Sequence, residues 1–376
     1  MTITFLVGNG FDISCGINTS YSDFCKWYVK QPSDTDLITN FKDTIDKDIS
    51  QNIPNELKTW ADFEIGLGKY TENFTKETAS DFLDCHEDAH EKIIEYISEQ
   101  TNMHVSPKEI SDEQKNALLT GIAGFYQELS SREKRDFDNI FSSDRANNTT
   151  VNFVSFNYTC TLDETISMLS VHPIKQWEYS GGKRTMSIAK RVVHPHGTLD
   201  NNPILGVDNE SQFTNKELVS VPQFKDIMVK NSTVNALGEL WHEETEKLIQ
   251  NSSIICIWGM SIGDSDTRWW KLIMEWLRKS SDRHVIIFWH TTKVIDSSSP
   301  SKQINEKAHV LNKILKFAKA TDDEIGNMRR RIHVVFNSTK VLKVKLNEKK
   351  THTIKLNVDE ETAEKLQDMS KIFASL

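Results

Sequence analysis

Short apolar runs recur along the chain at Ile3–Val7, Asn152–Phe156, Arg191–His194, Ile254–Trp258, Val285–His290 and Ile332–Phe336. They are rich in β-branched residues, and several close on a small or polar cluster: Gly8-Asn9-Gly10, Asn157-Tyr158-Thr159, His196-Gly197-Thr198, and the stretch from Gly259 to Asp266. Such runs read as buried strands. Between them the period lengthens to that of a helix. Leu118, Leu119, Ile122, Phe125 and Leu129 follow the N-terminal signal Ser111-Asp112-Glu113. "HEDAHEKIIEYISEQ" carries one strongly solvated face, Leu237, Leu240, Trp241 and Leu248 form an apolar stripe, and Trp269, Trp270, Ile273, Trp276 and Leu277 form another. Strands alternating with helices predict an α/β, Rossmann-like parallel sheet, with the strand-end clusters converging at its C-terminal edge.

The helical stretch between the first two strands is far longer than a crossover requires. The pattern therefore predicts a discontinuous nucleotide-binding core over 1–24 and 149–340, with a large helical insertion over 25–148 after the first strand. A second, small insertion is expected over 209–251, and a hairpin turning at Asn347–Lys350 with a last helix over 341–376.

Composition narrows the class. At 376 residues, 38% hydrophobic and 26% charged, the chain is long and apolar enough for a real core. A net charge of −9 makes nucleic acid an unexpected partner. Cysteines 15, 25, 85, 160 and 256 form no Cys-x-x-Cys pair, which argues against a zinc ribbon or disulfide framework and fits a reducing cytoplasm. No run approaches the roughly 20 apolar residues of a membrane span. A cytoplasmic protein without a membrane partner is expected.

Glycines at the end of the first strand, Gly8 and Gly10, let backbone lie against a ligand, and the N–H groups of a following helix make an anion site. Asp12, two residues on, can hold a ribose hydroxyl, bind a cation beside phosphates, or cap that helix. Asn157 can hold a ribose hydroxyl or a water through an amide that both donates and accepts, or it can cap the next helix. Of His194 and His196, one suits a general base near neutral pH and the other a hydrogen-bonded structural role, expected of His194. A metal there would need Asp208 or His172, at no recognised spacing. Gly259 and Ser261, with Asp264, Ser265 or Asp266 capping the next helix, make a phosphate cradle. The carboxylates oppose a pyrophosphate, and the Gly-x-Gly-x-x-Gly fingerprint is absent.

"FLVGNGFDISCGINTSYSDF", "WADFE", "FNYTCTLDE", "HPHGTLDNNPILGVD" and "WGMSIGDSDTRWW", in this order, resemble the AbiH-type abortive-infection proteins of bacteria. The resemblance runs from Leu6 to about His290 and implies defence against bacteriophage, in which an infected cell stops growing before phage are released. It also draws in Glu64 of "WADFE", expected to reach the pocket or clamp the insertion against it.

A more distant similarity is to sirtuin-type NAD-binding domains, through Gly8/Gly10, Asn157, His196-Gly197 and Gly259/Ser261. That resemblance implies a sirtuin-like pocket. It implies that Asn157 and His196 act as the catalytic residues and that Gly8, Gly10, Gly197, Gly259 and Ser261 line the nucleotide. Asp12 stands where sirtuins generally have a small hydroxyl residue, and Asn9, Asp12, Asp264 and Asp266 are expected at the nucleotide from their place in the same clusters. The zinc-binding Cys-x-x-Cys pairs of deacylases are missing between His196 and Gly259, so hydrolysis of NAD at the nicotinamide–ribose bond is expected instead. NAD is then a substrate, and activity is expected to be gated by homo-oligomerisation, a partner protein or a phage trigger. Two alternatives stand beside it: a non-catalytic nucleotide-sensing module, and a metal-dependent nuclease using Asp12, Asp208, Asp264 and Asp266.

Overall fold

The computed structural model describes residues 1–54, 58–144, 148–169, 175–179, 182–293, 295 and 299–349. Seven strands form one sheet: β1 (Thr2–Val7), β2 (Asn148–Ser155), β3 (Lys175–Tyr179), β4 (Gly182–Val193), β5 (Ile254–Trp258), β6 (His284–Trp289) and β7 (Ile332–Phe336). Their spatial order is β3-β4-β2-β1-β5-β6-β7, parallel throughout except for the antiparallel edge pair β3–β4. Counting the parallel strands alone, the order is 3-2-1-4-5-6, the doubly wound Rossmann-like arrangement. It reverses between β1 and β5, which pair directly from Ile3↔Ile254 to Val7↔Trp258.

All six apolar runs are strands of this sheet. β3 and the first half of β4 escape the apolar pattern because they form an edge hairpin, where one side faces water. β4 stops at Val193, so His194 and His196 lie beyond the strand and do not share a strand face.

Fourteen α-helices occur among the described residues: α1 (Gly10–Cys15), α2 (Tyr21–Tyr28), α3 (Asp36–Ile49), α4 (Phe63–Tyr70), α5 (Ala79–Asn102), α6 (Asp112–Ala123), α7 (Ser131–Ser143), α8 (Thr161–Leu169), α9 (Phe224–Met228), α10 (Lys230–Ala236), α11 (Trp241–Gln250), α12 (Thr267–Arg278), α13 (Pro300–Leu315) and α14 (Asp322–Arg329). Alternate strand residues feed the two faces of the sheet. Ile3, Phe5 and Val7 pack with Phe125, Tyr126, Phe137, Phe141 and Leu162 on one face. Leu6, Ile255 and Ile257 pack with Trp269, Trp270, Ile273, Val310 and Ile314 on the other.

A separate aromatic core, including Phe24, Tyr28, Phe41, Trp60, Phe63 and Phe82, holds α2 to α5 together. It also takes in Leu205, Val207, Phe213, Phe224 and Met228, so the two expected insertions share one core. The region from 25 to 148 is helical, but it divides: α6 and α7, each started by a capping box, lie on the sheet itself rather than in the insertion. The stripe expected over Leu237 to Leu248 also breaks. Gly238 ends α10 with φ +72°, and Leu237 and Leu240 are 45% and 58% exposed, while Trp241 is buried. Of the C-terminal hairpin and helix only 341–349 is described. It forms no strand there, and it buries Val341, Leu342, Val344 and Leu346 against the sheet core. No helix of the described residues is long and apolar enough to cross a membrane.

Two glycine substitutions test this packing. A Cβ on Gly10 would lie 2.6 Å from Gly259 Cα, whereas one on Gly326 of α14 meets nothing within 4 Å. Gly10→Ala is expected to destabilise by about 1–3 kcal/mol and Gly326→Ala to stabilise by up to about 1 kcal/mol. Urea unfolding of the two variants checks both signs.

Candidate functional site

The C-terminal ends of β1, β2, β4 and β5 meet beneath the insertion. At the β1–β5 reversal two turns touch through backbone. Gly8 N–H donates to Trp258 O at 2.9 Å and Gly10 N–H to Gly259 O at 2.8 Å. Gly259 has φ +65°, and a Cβ there would stand 2.9 Å from Gly10 Cα. The immediate reason for glycine at these positions is therefore the contact between the two turns. Asn9 donates to Thr19 O at 3.1 Å and accepts the Thr19 hydroxyl, which ties the loop before α2 to the first turn.

Asp12, in α1, is 1% exposed. It does not cap the helix; Thr159 Oγ1 lies 2.9 Å from each of its carboxylate oxygens. Burial raises its pKa from 3.8 to about 7, against the lowering pull of Thr159, the Asn157 amide, His194 and Thr19. Asn157 follows β2 and is buried, and neither its Nδ2 nor its Oδ1 makes a hydrogen bond of good geometry, although its amide stands close enough to Asp12 to act on that carboxyl. His194 bridges the Asn157 carbonyl, to which its Nδ1–H donates at 3.1 Å, and Asp163 Oδ2, 2.8 Å from its Nε2. That is the structural role expected of it.

His196 packs edge-to-face on Phe156, with centroids 5.4 Å apart. Its Nε2 is 3.4 Å from Asp266 Oδ1 without a hydrogen bond of good geometry. Burial first, and then the Lys230 charge, push its pKa well below 6.5, so the ring is neutral. Lys230 of α10 is the cation of the cluster. Its ammonium donates to Glu64 Oε2 at 2.7 Å, to Ser265 O at 3.0 Å and to Asp266 Oδ1 at 3.5 Å. Those carboxylates outweigh burial and hold its proton on. Burial in turn pushes Glu64 up to about 8 and Asp266 upward, with Asp62 adding to both. Glu64 thus clamps the insertion to the sheet edge, and its Oε1 is left without a partner. Trp60 and Phe63 of the same motif are core, and Asp62 caps α4 by accepting Ile65 N–H at 3.3 Å.

Other candidate residues are placed elsewhere or serve turns. Ser261 and Asp264 face solvent, and Asp264 pairs with Lys316 at 2.8 Å. Asp208 accepts Arg268 N–H at 3.1 Å and caps α12. Gly197, at φ +71°, sits under the Asn201 and Asn202 carbonyls, where a Cβ would clash at 2.7 and 2.2 Å. The four carboxylates of the nuclease reading do not gather, and no group of three His, Cys, Asp or Glu among the described residues is arranged to hold a metal. His172 lies outside those residues. A surface concavity lined by Lys271, Met274, Glu275, Arg278 and Phe317 lies on the helical face, away from the strand edge. Sequence reasoning missed Lys230 and Thr159. Thr159 sits inside the quoted "FNYTC"; Lys230, in "IMVKNST", carries no local signal at all.

The sequence model of the family described as "Bacteriophage abortive infection AbiH" matches residues 4–289, and so takes in β1, β2, β4, β5 and every residue of this cluster. No curated protein matches the chain at a significant level.

Stability should be greatest near pH 6.5. Below it, the depressed histidines His86, His196, His242 and His284 take up protons more readily in the unfolded chain, so stability falls on acidification. Above it, folded Asp12 and Glu64 still hold protons that the unfolded chain has released, so stability falls again toward pH 8. Melting temperatures from pH 5 to 8 should show both slopes, with the alkaline one flatter in Asp12→Asn. Lys230→Met strands the buried carboxylates and should cost about 3–5 kcal/mol at pH 7.5, measured by urea unfolding.

Proposed function

The chain belongs to the AbiH family of bacteriophage abortive-infection proteins, and from that premise we propose that its strand-edge cluster hydrolyses the nicotinamide–ribose bond of NAD. Depletion of NAD in the cytoplasm would halt the infected cell. The observation that carries the reading is Asn157: a buried amide whose polar atoms make no hydrogen bond of good geometry, close enough to act on Asp12 and at the C-terminal edge where Rossmann-like sheets bind nucleotides. The sirtuin-like order of Gly8/Gly10, Asn157, His196-Gly197 and Gly259/Ser261 supports it.

The bond breaks through a cationic, oxocarbenium-like state, which needs positioned dipoles and negative charge more than a covalent catalyst. Asn157 orients the attacking water or the ribose. Neutral His196 offers its unpartnered Nε2 to a ribose hydroxyl. The carboxyls of Asp12, Glu64 and Asp266 lie in a low-dielectric edge, where the ionised forms act strongly on a nearby cation. Glu64 on α4 and Lys230 on α10 close over Asp266 at this edge, so NAD would enter when the insertion lifts. Assembly, a partner protein or a phage trigger supplies that opening, which keeps a lethal activity silent in an uninfected cell.

The test is nicotinamide release from NAD by purified protein, with and without phage lysate. Activated wild type is expected to release nicotinamide and ADP-ribose. His196→Ala and Asn157→Ala should lower the rate at least about a hundredfold with stability losses within about 2 kcal/mol, while His194→Ala should chiefly lower the melting temperature. If wild type releases no nicotinamide under any activating condition, the reading fails.

A further inference from the structure

We propose that Asp12 is the general base of the site, taking the proton from the water that attacks the ribose C1′. This rests on the NAD-hydrolysis reading above.

Four features of the residue point the same way. Asp12 is an enclosed carboxyl that no lysine or arginine among the described residues pairs with, although a buried carboxylate without a cation is costly. It does not cap α1, whose N-terminus it enters, so a helix-starting role does not account for it. An asparagine would accept the Thr159 hydroxyl equally well without that cost, so a purely structural role does not call for an acid. Finally, it is held still: Thr159 Oγ1 stands 2.9 Å from both oxygens, and Thr159 and Asn157 come from the same β2–α8 turn. The Asn157 amide stands close enough to act on this carboxyl, yet neither of its polar atoms makes a hydrogen bond of good geometry, so both side chains can turn to an incoming water. Burial sets the carboxyl near pH 7, where a base is half ionised and still strong enough to accept a proton. His196 is worse suited, because its proton affinity is depressed by burial and by the Lys230 charge.

The step balances without a further reactant. The C1′–N bond breaks with its electron pair passing to the pyridine nitrogen. The water oxygen bonds to C1′, and its proton goes to the Asp12 carboxylate and then to solvent. NAD and water give nicotinamide, ADP-ribose and one proton.

Chemical rescue separates a base from a structural acid. Activated wild type and Asp12→Asn are assayed for nicotinamide release from pH 5.5 to 8.5, with and without sodium azide. Azide attacks C1′ as an anion and needs no base. The expected result is a loss of at least about a hundredfold in water-dependent turnover for Asp12→Asn, loss of the rising limb near pH 7, and partial recovery by azide with a glycosyl azide product. Thr159→Val gives a second readout that leaves the acid in place: losing a hydrogen bond that favours the carboxylate should move the limb to higher pH. Asp12→Asn turnover within about threefold of an active wild type, or an unmoved limb in Thr159→Val, overturns the assignment and leaves NAD hydrolysis standing. A wild type that releases no nicotinamide overturns both.

Discussion

A buried ammonium must be answered by carboxylates, and that requirement organises the closed end of this molecule. Lys230 is 3% exposed and sits on α10, within the second insertion. Its partners come from two other places: Glu64 from α4 in the first insertion, and Ser265 and Asp266 from the loop after β5. One charge therefore fastens three segments distant in sequence. Hydrophobic packing alone would let α4 slide over the sheet edge with little penalty, since apolar contact is non-directional. Withdrawing the ammonium from carboxylates in a low-dielectric setting is penalised steeply, so the ion pair fixes the position of α4 where packing alone would not.

The arrangement also resolves the repulsion that carboxylates at a phosphate-binding edge would cause. Asp12, Glu64 and Asp266 are all pushed toward their protonated forms by burial. The negative charge at this strand edge is smaller than the sequence count implies, and Lys230 offsets part of the rest. Asp264, counted in the same cluster from sequence, points away to Lys316.

Most of the sheet was legible because its inner strands are covered on both faces and so read as unbroken apolar runs, as at Ile254–Trp258. The β3–β4 hairpin was not, since an edge strand with a wet face need not be apolar. Helix starts with capping boxes, such as Ser111 with Gln114, were equally plain. The stripe over Leu237 to Leu248 misled because residues spaced for one helix face were cut by a positive-φ glycine at 238. Within the site, Asn157, His196 and Asp12 stood out because each follows a strand end. Lys230 did not, because what makes it special is a partner 166 positions away.

The glycines show how a correct pattern can have an incomplete cause. Gly8, Gly10 and Gly259 do permit a close approach at the strand ends, and what approaches each turn in the structure is the other turn. That contact fixes the relative height of β1 and β5 at their C-terminal ends, and so fixes where Asp12 begins the first helical turn. Thr159 then fastens Asp12 to the β2 turn through its hydroxyl, which lies 2.9 Å from both carboxylate oxygens. The cover, by contrast, is held by the salt bridges of Lys230 with Glu64 and Asp266. Fixed groups beneath a salt-bridged cover are the division that the proposed gating requires, because such a cover could open without disturbing the groups below it.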